Sequence, residues 1–362
     1  MRHDKHIAFI TGYLRAGGAE RVISMLANYF VNCGYRVSVV YLDDKKDFYS
    51  LDDKIEKHQV IYNRGSKHFF SGLLNTIERV VKLRNKLVRI KADIAIGFIT
   101  DVNVLTVLAC LLTDISVIIS VRTNPFQYRI PARWKIASRL LYRFADKVVL
   151  QTHRVSRFFS FLPKSKIEII PNPLNNMTTP ENISEGKLIL AVGRLEYAKG
   201  FDLLIEAFAK SRAKNSWQLI IAGEGNEREN LERKITEYEL TSKIHLPGIQ
   251  KDITSLYSRA SLFVLSSRYE GYPNALAEAM GSGLPCISFN CEFGPQELIK
   301  NNINGILVEP GNVSQLANAI DDLAENPGRR KEIGKNATEV MKTNNIITIA
   351  EKWEEVIDGL FS

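Results

Sequence analysis

Short runs rich in valine and isoleucine alternate with amphipathic, helix-length segments along the whole chain, and after residue 186 the alternation starts again. The first round opens with HIAFITG and passes through the loop YLRAGGAER. It then enters a helix in which Val22, Ile23, Leu26, Ala27 and Phe30 recur at helical spacing. Gly34 stops that helix and RVSVVYL follows as a second strand, completing a βαβ unit. Further strands are expected at QVIY, ADIAIGF, SVIISV, KVVLQT and IEIIPNP. Strands joined through crossover helices pair in parallel. Their near-continuous apolar character means that helices cover both faces of the sheet. The second round reads KLILAVG, the helix FDLLIEAFAKS, WQLIIAGEG, the charged helix NERENLERKITEYEL, KIHLPG, SLFVLSS, a further helix, PCISF and GILVEP.

Between the rounds, near residues 174–186, proline, asparagine, threonine and serine cluster as they do in a linker. A chain of 362 residues is long enough for two domains. The expected class is therefore α/β, with two Rossmann-like, doubly wound domains facing each other across a cleft. One domain is expected over residues 1–175 and the second over 186–345, and a last helix within 346–362 is expected to pack back on the first. In open parallel sheets, ligands bind outside the carboxyl ends of the strands.

Composition narrows the setting. With 45% hydrophobic and 24% charged residues the chain has ordinary globular composition. The apolar run IAFIT is short and bounded by Gly12, so it is strand-like rather than a signal peptide. The longest apolar stretch, Val102 to Val121, is broken by Asp114 and does not have the character of a membrane span. Cys33, Cys110, Cys286 and Cys291 form no CxxC pair, and free thiols in a reducing, cytoplasmic compartment are expected. Residues 1–180 hold 28 lysines and arginines against 14 aspartates and glutamates, a net of +14, while residues 181–362 hold 20 against 26, a net of −6. The first half therefore suits an anionic partner: nucleic acid, an anionic membrane surface or a phosphate-bearing acceptor.

Three segments carry candidate chemistry. In SSRYEGYPNALAEAMGSGLP, Glu270 and Glu278 stand eight apart with Gly271, Tyr272, Pro273 and Asn274 between. Asn274 is expected to cap a helix that carries Glu278, leaving Glu270 on the preceding loop beside an anion-binding helix start. Two ordinary surface glutamates on a βα turn would have the same spacing. In AVGRLEYAKGFD, Arg194 and Lys199 lie between a strand and a helix, where two cations and a helix N-terminus hold a diphosphate without a metal. Solvated loop cations are the plain alternative. Gly17 and Gly18 permit close backbone approach at a helix start, as would any tight turn. No GxGxxG occurs, which argues against a dinucleotide enzyme.

Taken in order, RAGGAER, the PNP at Pro171, GRLEYAKG, AGEG and the E-x7-E of EGYPNALAE resemble the retaining family 4 glycosyltransferases of GT-B fold. The finer pattern of GGAERVISMLAN, SVRTNP and FNCEFGPQELI is similar to bacterial transferases that extend lipid-linked glycans for surface polysaccharides or glycoproteins. The resemblance implies a nucleotide-sugar donor, with UDP expected, and a polyprenyl-diphosphate-linked glycan acceptor carrying the hydroxyl that receives a hexose or N-acetylhexosamine. It places Arg194 and Lys199 on the donor diphosphate, Glu270 and the backbone of Gly271 to Asn274 on the transferred sugar, and Glu278 on the ribose. Gly248 and Ile249 then border the base, and Gly17 and Gly18 face the diphosphate from the other domain. Many relatives carry a histidine where Arg122 stands here. Arginine supplies a permanent cation there but no base near neutral pH, and His153 is a candidate stand-in. No D-x-D triplet occurs, so neither a metal nor a cofactor is expected, and charge on the leaving group falls to Arg194, Lys199 and helix N-termini.

Residues 67–91 alternate apolar and basic groups at helical spacing, with Leu73, Leu74, Ile77, Val80, Val81 and Leu87 as one stripe. Residues 129–166 add more cations together with Trp134, Phe158, Phe159 and Phe161. Such segments either lie on an anionic bilayer or pack on a core with a solvated basic face. The bilayer reading puts the protein on the inner face of the cell membrane. Two other activities keep the same fold, an epimerase and a transferase with a soluble acceptor. A nucleic-acid binder is disfavoured, since no recognition motif or stacking platform is present.

Overall fold

The computed structural model describes residues 4–14, 17–43, 48–60, 69–122, 132–174 and 186–361. The chain divides into two compact units, Met1–Pro173 with Ile346–Ser362, and Leu174–Asn345.

In the first unit the strands are β1 (His6–Thr11), β2 (Arg36–Tyr41), β3 (Glu56–Gln59), β4 (Ile94–Phe98), β5 (Ser116–Val121), β6 (Lys147–Leu150) and β7 (Ile167–Ile169). They form one sheet of order β3-β2-β1-β4-β5-β6-β7, with all described pairings parallel. The helices are α1 (Gly18–Asn32), α2 (Phe69–Arg89), α3 (Thr100–Cys110), α4 (Ala132–Leu141), the short α5 (His153–Ser156) and, at the end of the chain, α14 (Ile346–Asp358). The last of these contributes Ile349, Ala350, Trp353, Val356 and Ile357 to the core that holds Phe9, Phe30 and Phe98. Their spacing puts one apolar stripe on the face of α14 that packs beside α1.

Two expectations change here. The strand expected at QVIY lies earlier, at EKHQ. Among the described residues β3 is an edge strand pairing only with β2, and its residues alternate between half-buried and exposed. An edge strand of that kind carries no apolar run to mark it. The stripe expected on α2 is in fact two faces. Leu83, Leu87 and Ile90 are buried, whereas Ile77, Val81 and Val88 point outward, about half exposed. The side chains of Leu73 and Leu74 lie outside the described residues. Arg84 is not part of a solvated face, because it donates to the carbonyls of Ala109 (2.8 Å) and Leu111 at the end of α3, where unpaired helix carbonyls favour a cation.

The second unit has β8 (Leu188–Val192), β9 (Gln218–Ala222), β10 (Ile244–His245), β11 (Leu262–Leu265), β12 (Cys286–Phe289) and β13 (Ile306–Val308). Its sheet runs β10-β9-β8-β11-β12-β13, again parallel. Helices α6 (Phe201–Lys210), α7 (Arg228–Glu237), α8 (Ile253–Arg259), α9 (Asn274–Gly281), α10 (Pro295–Leu298), α11 (Val313–Glu325), α12 (Pro327–Ala337) and α13 (Val340–Asn344) complete the unit. The strand order reverses between β8 and β11, and the carboxyl ends of the strands at such a switch point are where doubly wound sheets bind ligands.

Candidate active site

The loops after β8 and β11 carry Lys199 and Glu270, and backbone geometry brings them together. Gly200 has φ +61°, and a Cβ there would lie 2.1 Å from the carbonyl oxygen of Ser266. Only glycine lets the β8 loop press this closely on the end of β11. Ser266 Oγ donates to the Lys199 carbonyl (3.0 Å), and the Arg268 amide donates to the Ala198 carbonyl (2.9 Å). Arg268 then clamps the loops from outside. Its guanidinium donates to both carboxylate oxygens of Asp202 (2.7 and 2.6 Å) and lies 4.0 Å from the Tyr197 ring centroid. Burial works to raise the Asp202 pKa, but the Arg268 hydrogen bonds and charge outweigh it and hold the carboxyl below its ordinary range.

Inside this clamp Lys199 Nζ stands 2.6 Å from Glu270 Oε1, and Ser267 Oγ donates to the same oxygen at 2.6 Å. Glu270 is 7% exposed. Burial, with the Glu270 charge adding to it, pushes the thiol of neighbouring Cys291 up to about 12, so that thiol stays protonated and unreactive.

Arg194 belongs to the same β8 loop but points to solvent, 2.7 Å from Glu196 with its side chain 61% exposed. The loop that carries it is seated on the loop after β9. The Gly193 amide donates to the Ala222 carbonyl (3.0 Å) and the Leu195 amide to that of Glu224 (2.8 Å). Gly223, at φ +149°, passes so near Gly193 that a Cβ would sit 1.9 Å from its carbonyl oxygen. Its amide donates to the Gly248 carbonyl at 3.0 Å, which ties in the loop after β10, where Ile249 is 55% exposed. Arg194, Lys199, Gly248, Ile249 and Glu270 thus all sit on carboxyl-end loops of one sheet.

Gly271, Tyr272 and Pro273 lead from Glu270 into α9. The expected Asn274 cap is not formed. Pro273 occupies the cap position, Asn274 is the first helical residue, and no side chain caps the helix. The Asn274 amide donates to the Tyr272 carbonyl (3.0 Å), so the turn is closed by backbone, one residue earlier than a side-chain cap requires. Glu278 is buried on α9 and accepts from the hydroxyl of Tyr257 (3.1 Å). Tyr272 is also buried, and its hydroxyl accepts from Asn344 Nδ2. Asn344 is held in turn by its own carbonyl, which accepts from the Leu174 amide (2.7 Å). Sequence reasoning missed Ser267, Arg268, Asp202 and Asn344. Of these, only Ser267 and Arg268 had a signal available, their place beside Glu270.

In the first unit, Gly17 caps α1 in extended conformation (φ −150°), and the Arg21 amide donates to its carbonyl (3.1 Å). Gly18 starts the helix; Arg15 and Ala16 of the same loop lie outside the described residues. Arg122 follows β5 and is 8% exposed. Its Nε donates to Ser120 Oγ (2.7 Å) and its Nη1 to Asn172 Oδ1, which also accepts from Gln151 (2.9 Å). Its guanidinium carbon lies 5.3 Å from the Phe98 ring centroid and 5.8 Å from that of Trp353. His153 is the exposed first residue of α5.

Comparison with known proteins gives these loops a context. Residues 16–176 match the family model described as Glycosyltransferase Family 4, and residues 176–340 match Glycosyl transferases group 1. The chain is 26% identical to the Campylobacter jejuni GalNAc-alpha-(1->4)-GalNAc-alpha-(1->3)-diNAcBac-PP-undecaprenol alpha-1,4-N-acetyl-D-galactosaminyltransferase, over 97% of this chain and 98% of that one. It is 28% identical to the amylovoran biosynthesis glycosyltransferase AmsD of Erwinia amylovora, over 98% and 99%. Among solved structures, Anabaena HepE in complex with UDP superposes with a TM-score of 0.80 at 20% identity, covering 98% of this chain and all of that one (100%).

Proposed function

Since this chain belongs to the glycosyltransferases of GT-B fold, a family 4 half followed by a group 1 half, we propose that it moves a hexose or N-acetylhexosamine from a UDP-sugar to a polyprenyl-diphosphate-linked glycan. The receiving group is a hydroxyl, and the product serves surface polysaccharide, O-antigen or glycoprotein glycan assembly. The observation that carries the donor assignment is the Lys199–Glu270 pair, 2.6 Å apart where the strand order reverses. At such a switch point a cation and a carboxylate suit the two halves of a nucleotide-sugar, the charged diphosphate and the polyhydroxyl ring.

On this reading Lys199 and the solvent-facing Arg194 take the diphosphate. Glu270 accepts from the sugar hydroxyls, Glu278 from the ribose, and the Gly248–Ile249 loop borders the base. Gly17 and Gly18, at the start of α1, offer backbone amides to a phosphate. Two fixed cations and helix N-termini stabilise the departing diphosphate without a metal. Transfer retains the anomeric configuration, with a donor phosphate oxygen taking the acceptor proton on the same face. Arg122 acts as a positioning residue that fixes the end of β5 and Asn172. The lipid-linked acceptor is supported by the likeness to the Campylobacter enzyme, whose name contains an undecaprenol diphosphate glycan. On this reading the protein works at the inner face of the cell membrane.

The test is direct. Purified protein is incubated with a panel of UDP-, GDP- and ADP-sugars and a short-chain prenyl-diphosphate glycan. Products are read by mass, the new anomeric centre by NMR, and metal dependence by chelation. One UDP-sugar giving an extended glycan with retained configuration, unaffected by chelator, is the expected result. An epimerised donor formed without acceptor would replace this reading with the epimerase one.

A further inference from the structure

We propose that the outer face of α4, continued by the turn at Tyr142–Phe144, is the surface that seats this protein on an anionic lipid bilayer. This deepens the lipid-linked acceptor reading above and rests on it for its purpose. Ile136, Leu140 and Phe144 recur every four residues and are 62%, 54% and 56% exposed. One position before each stands an exposed cation, Lys135, Arg139 and Arg143. The opposite side of the same segment is committed to the core through Ser138 and Tyr142. The outer face is therefore not required by the fold. Scattered exposed apolar residues are ordinary, but a row of large ones in step with a row of cations is what an interfacial helix presents to headgroups and acyl chains.

Two of the cations are braced rather than free to wander. Lys135 Nζ lies 5.8 Å from the Phe158 ring centroid, and the Arg139 guanidinium 5.4 Å from that of Phe161. The aromatic segment near Phe158–Phe161 is thus a support for the cationic row, with Phe159 itself buried. Helix α3 packs between α2 and α4, and the turn after α3 ends in Leu112, which is 101% exposed at φ +60°. A left-handed leucine with nothing of its own unit over it is a costly choice for a tip facing water. On α2, Ile77, Val81 and Val88 add a second exposed apolar row.

Charge decides the occupant. A second copy would bring an identical cationic row against this one, whereas anionic headgroups complement it, and the first half of the chain carries a net +14. Among the described residues no helix is long and apolar enough to cross a membrane, and the proposed contact lies in the interface plane.

The experiment is vesicle co-sedimentation of the full chain. It uses phosphatidylcholine alone and phosphatidylcholine mixed with phosphatidylglycerol, at low and high salt. Wild type is expected to bind only the anionic vesicles and to release with salt. Each basic residue near the surface contributes about fivefold, so Lys135→Gln/Arg139→Gln/Arg143→Gln should weaken binding on the order of a hundredfold. Each buried methylene contributes about fourfold, so Ile136→Ser/Leu140→Ser/Phe144→Ser, losing even three, should weaken it on the order of fiftyfold. All six positions are exposed, and thermal unfolding checks that the variants fold. Transfer to the short-chain acceptor in solution should be unchanged in both variants, while transfer to vesicle-embedded acceptor falls. Wild type that ignores anionic vesicles, variants that bind as well as wild type, or a wild-type dimer that these variants dissolve would each overturn the proposal. Vesicle binding lost in the variants from a protein inactive on every lipid-linked acceptor would instead sink the acceptor reading and leave the surface standing.

Discussion

Removing Lys199 takes the cation away from a buried Glu270 carboxylate, and the cost of that can be bounded from the geometry. The ion pair is 2.6 Å long, with side-chain exposures of 22% for Lys199 and 6% for Glu270. Exposed pairs contribute roughly 0–1 kcal/mol, whereas breaking a buried pair by deleting one partner costs roughly 3–5 kcal/mol. Water reaches the lysine but hardly the carboxylate, and Ser267 still donates to it at 2.6 Å. Lys199→Ala should therefore cost about 2 kcal/mol, a fall in Tm of roughly 4–8 °C for a unit of this size. Glu270→Gln keeps an acceptor for Lys199 and Ser267 and leaves the half-exposed cation to water, so it should cost about 1 kcal/mol or less.

The pair also makes a prediction about ligand that neither residue makes alone. Glu270 pairs with the cation proposed to hold the donor diphosphate. Glu270→Gln releases Lys199 and removes a negative charge beside the phosphates. UDP at about 100 times its Kd should raise wild-type stability by about 2.7 kcal/mol. That gain should be kept or enlarged in Glu270→Gln and abolished in Lys199→Ala, although both variants lose turnover, Lys199→Ala by about 10²–10³ in kcat. Thermal unfolding with and without UDP, alongside steady-state transfer, reads all of this. A double Lys199→Ala/Glu270→Gln variant completes the cycle and should fall short of the summed losses by about 1–2 kcal/mol. Additive losses, or loss of UDP protection in Glu270→Gln as complete as in Lys199→Ala, would refute the reasoning.

Gly200→Ala places a Cβ 2.1 Å from the Ser266 carbonyl oxygen at φ +61°. The left-handed backbone alone costs about 1–2 kcal/mol, so a loss of at least that size is expected in thermal unfolding, together with loss of UDP protection as the loop that carries Lys199 is displaced from its seat on the end of β11. The Asp202 carboxyl is held below its ordinary range by Arg268 against the pull of burial, so its contribution is fully present above about pH 4 and disappears as pH falls through the folded-state value. The Tm difference between wild type and Asp202→Asn should be steady from neutral pH down to about 5 and shrink below about 4; a gap that persists into acid would mean the ion pair is not its source. Asn344→Ala and Tyr272→Phe remove the same hydrogen bond from the loop that follows Glu270. Each should raise the donor KM more than it lowers kcat, and the double variant should do no more harm than either single one.

The doubly wound plan was legible because buried parallel strands must be apolar throughout, and β1, β4 and β8 show that run plainly. The edge strand β3 was not, since one neighbour and one wet face leave EKHQ without an apolar signature. The same distinction separates the parts of the site. Arg194, Lys199 and Glu270 sit on loops whose glycines mark close backbone approach, and GRLEYAKG and EGYPN announce them as segments. Their supports come from residues distant in sequence: Asp202 reaches Arg268 across 66 positions and Tyr272 reaches Asn344 across 72, and no local pattern records either. Arg122 shows how burial changes the meaning of a residue type. After a strand, an arginine reads as a cation offered to ligand. In the fold it is 8% exposed, bonded to Ser120 and Asn172 and set against the rings of Phe98 and Trp353. Trp353 belongs to α14 and Asn172 to the segment just before the chain leaves the first unit. Arg122 thus holds both ends of the chain's excursion into the second unit from the first unit's side. A guanidinium so placed neither titrates near neutrality nor has freedom to follow a reacting group. The proton of the acceptor hydroxyl must then go elsewhere. A pH–rate profile of Arg122→His that gained a limb near pH 6–7, absent from wild type, would show that a base at this position can enter the chemistry and that the native enzyme works without one.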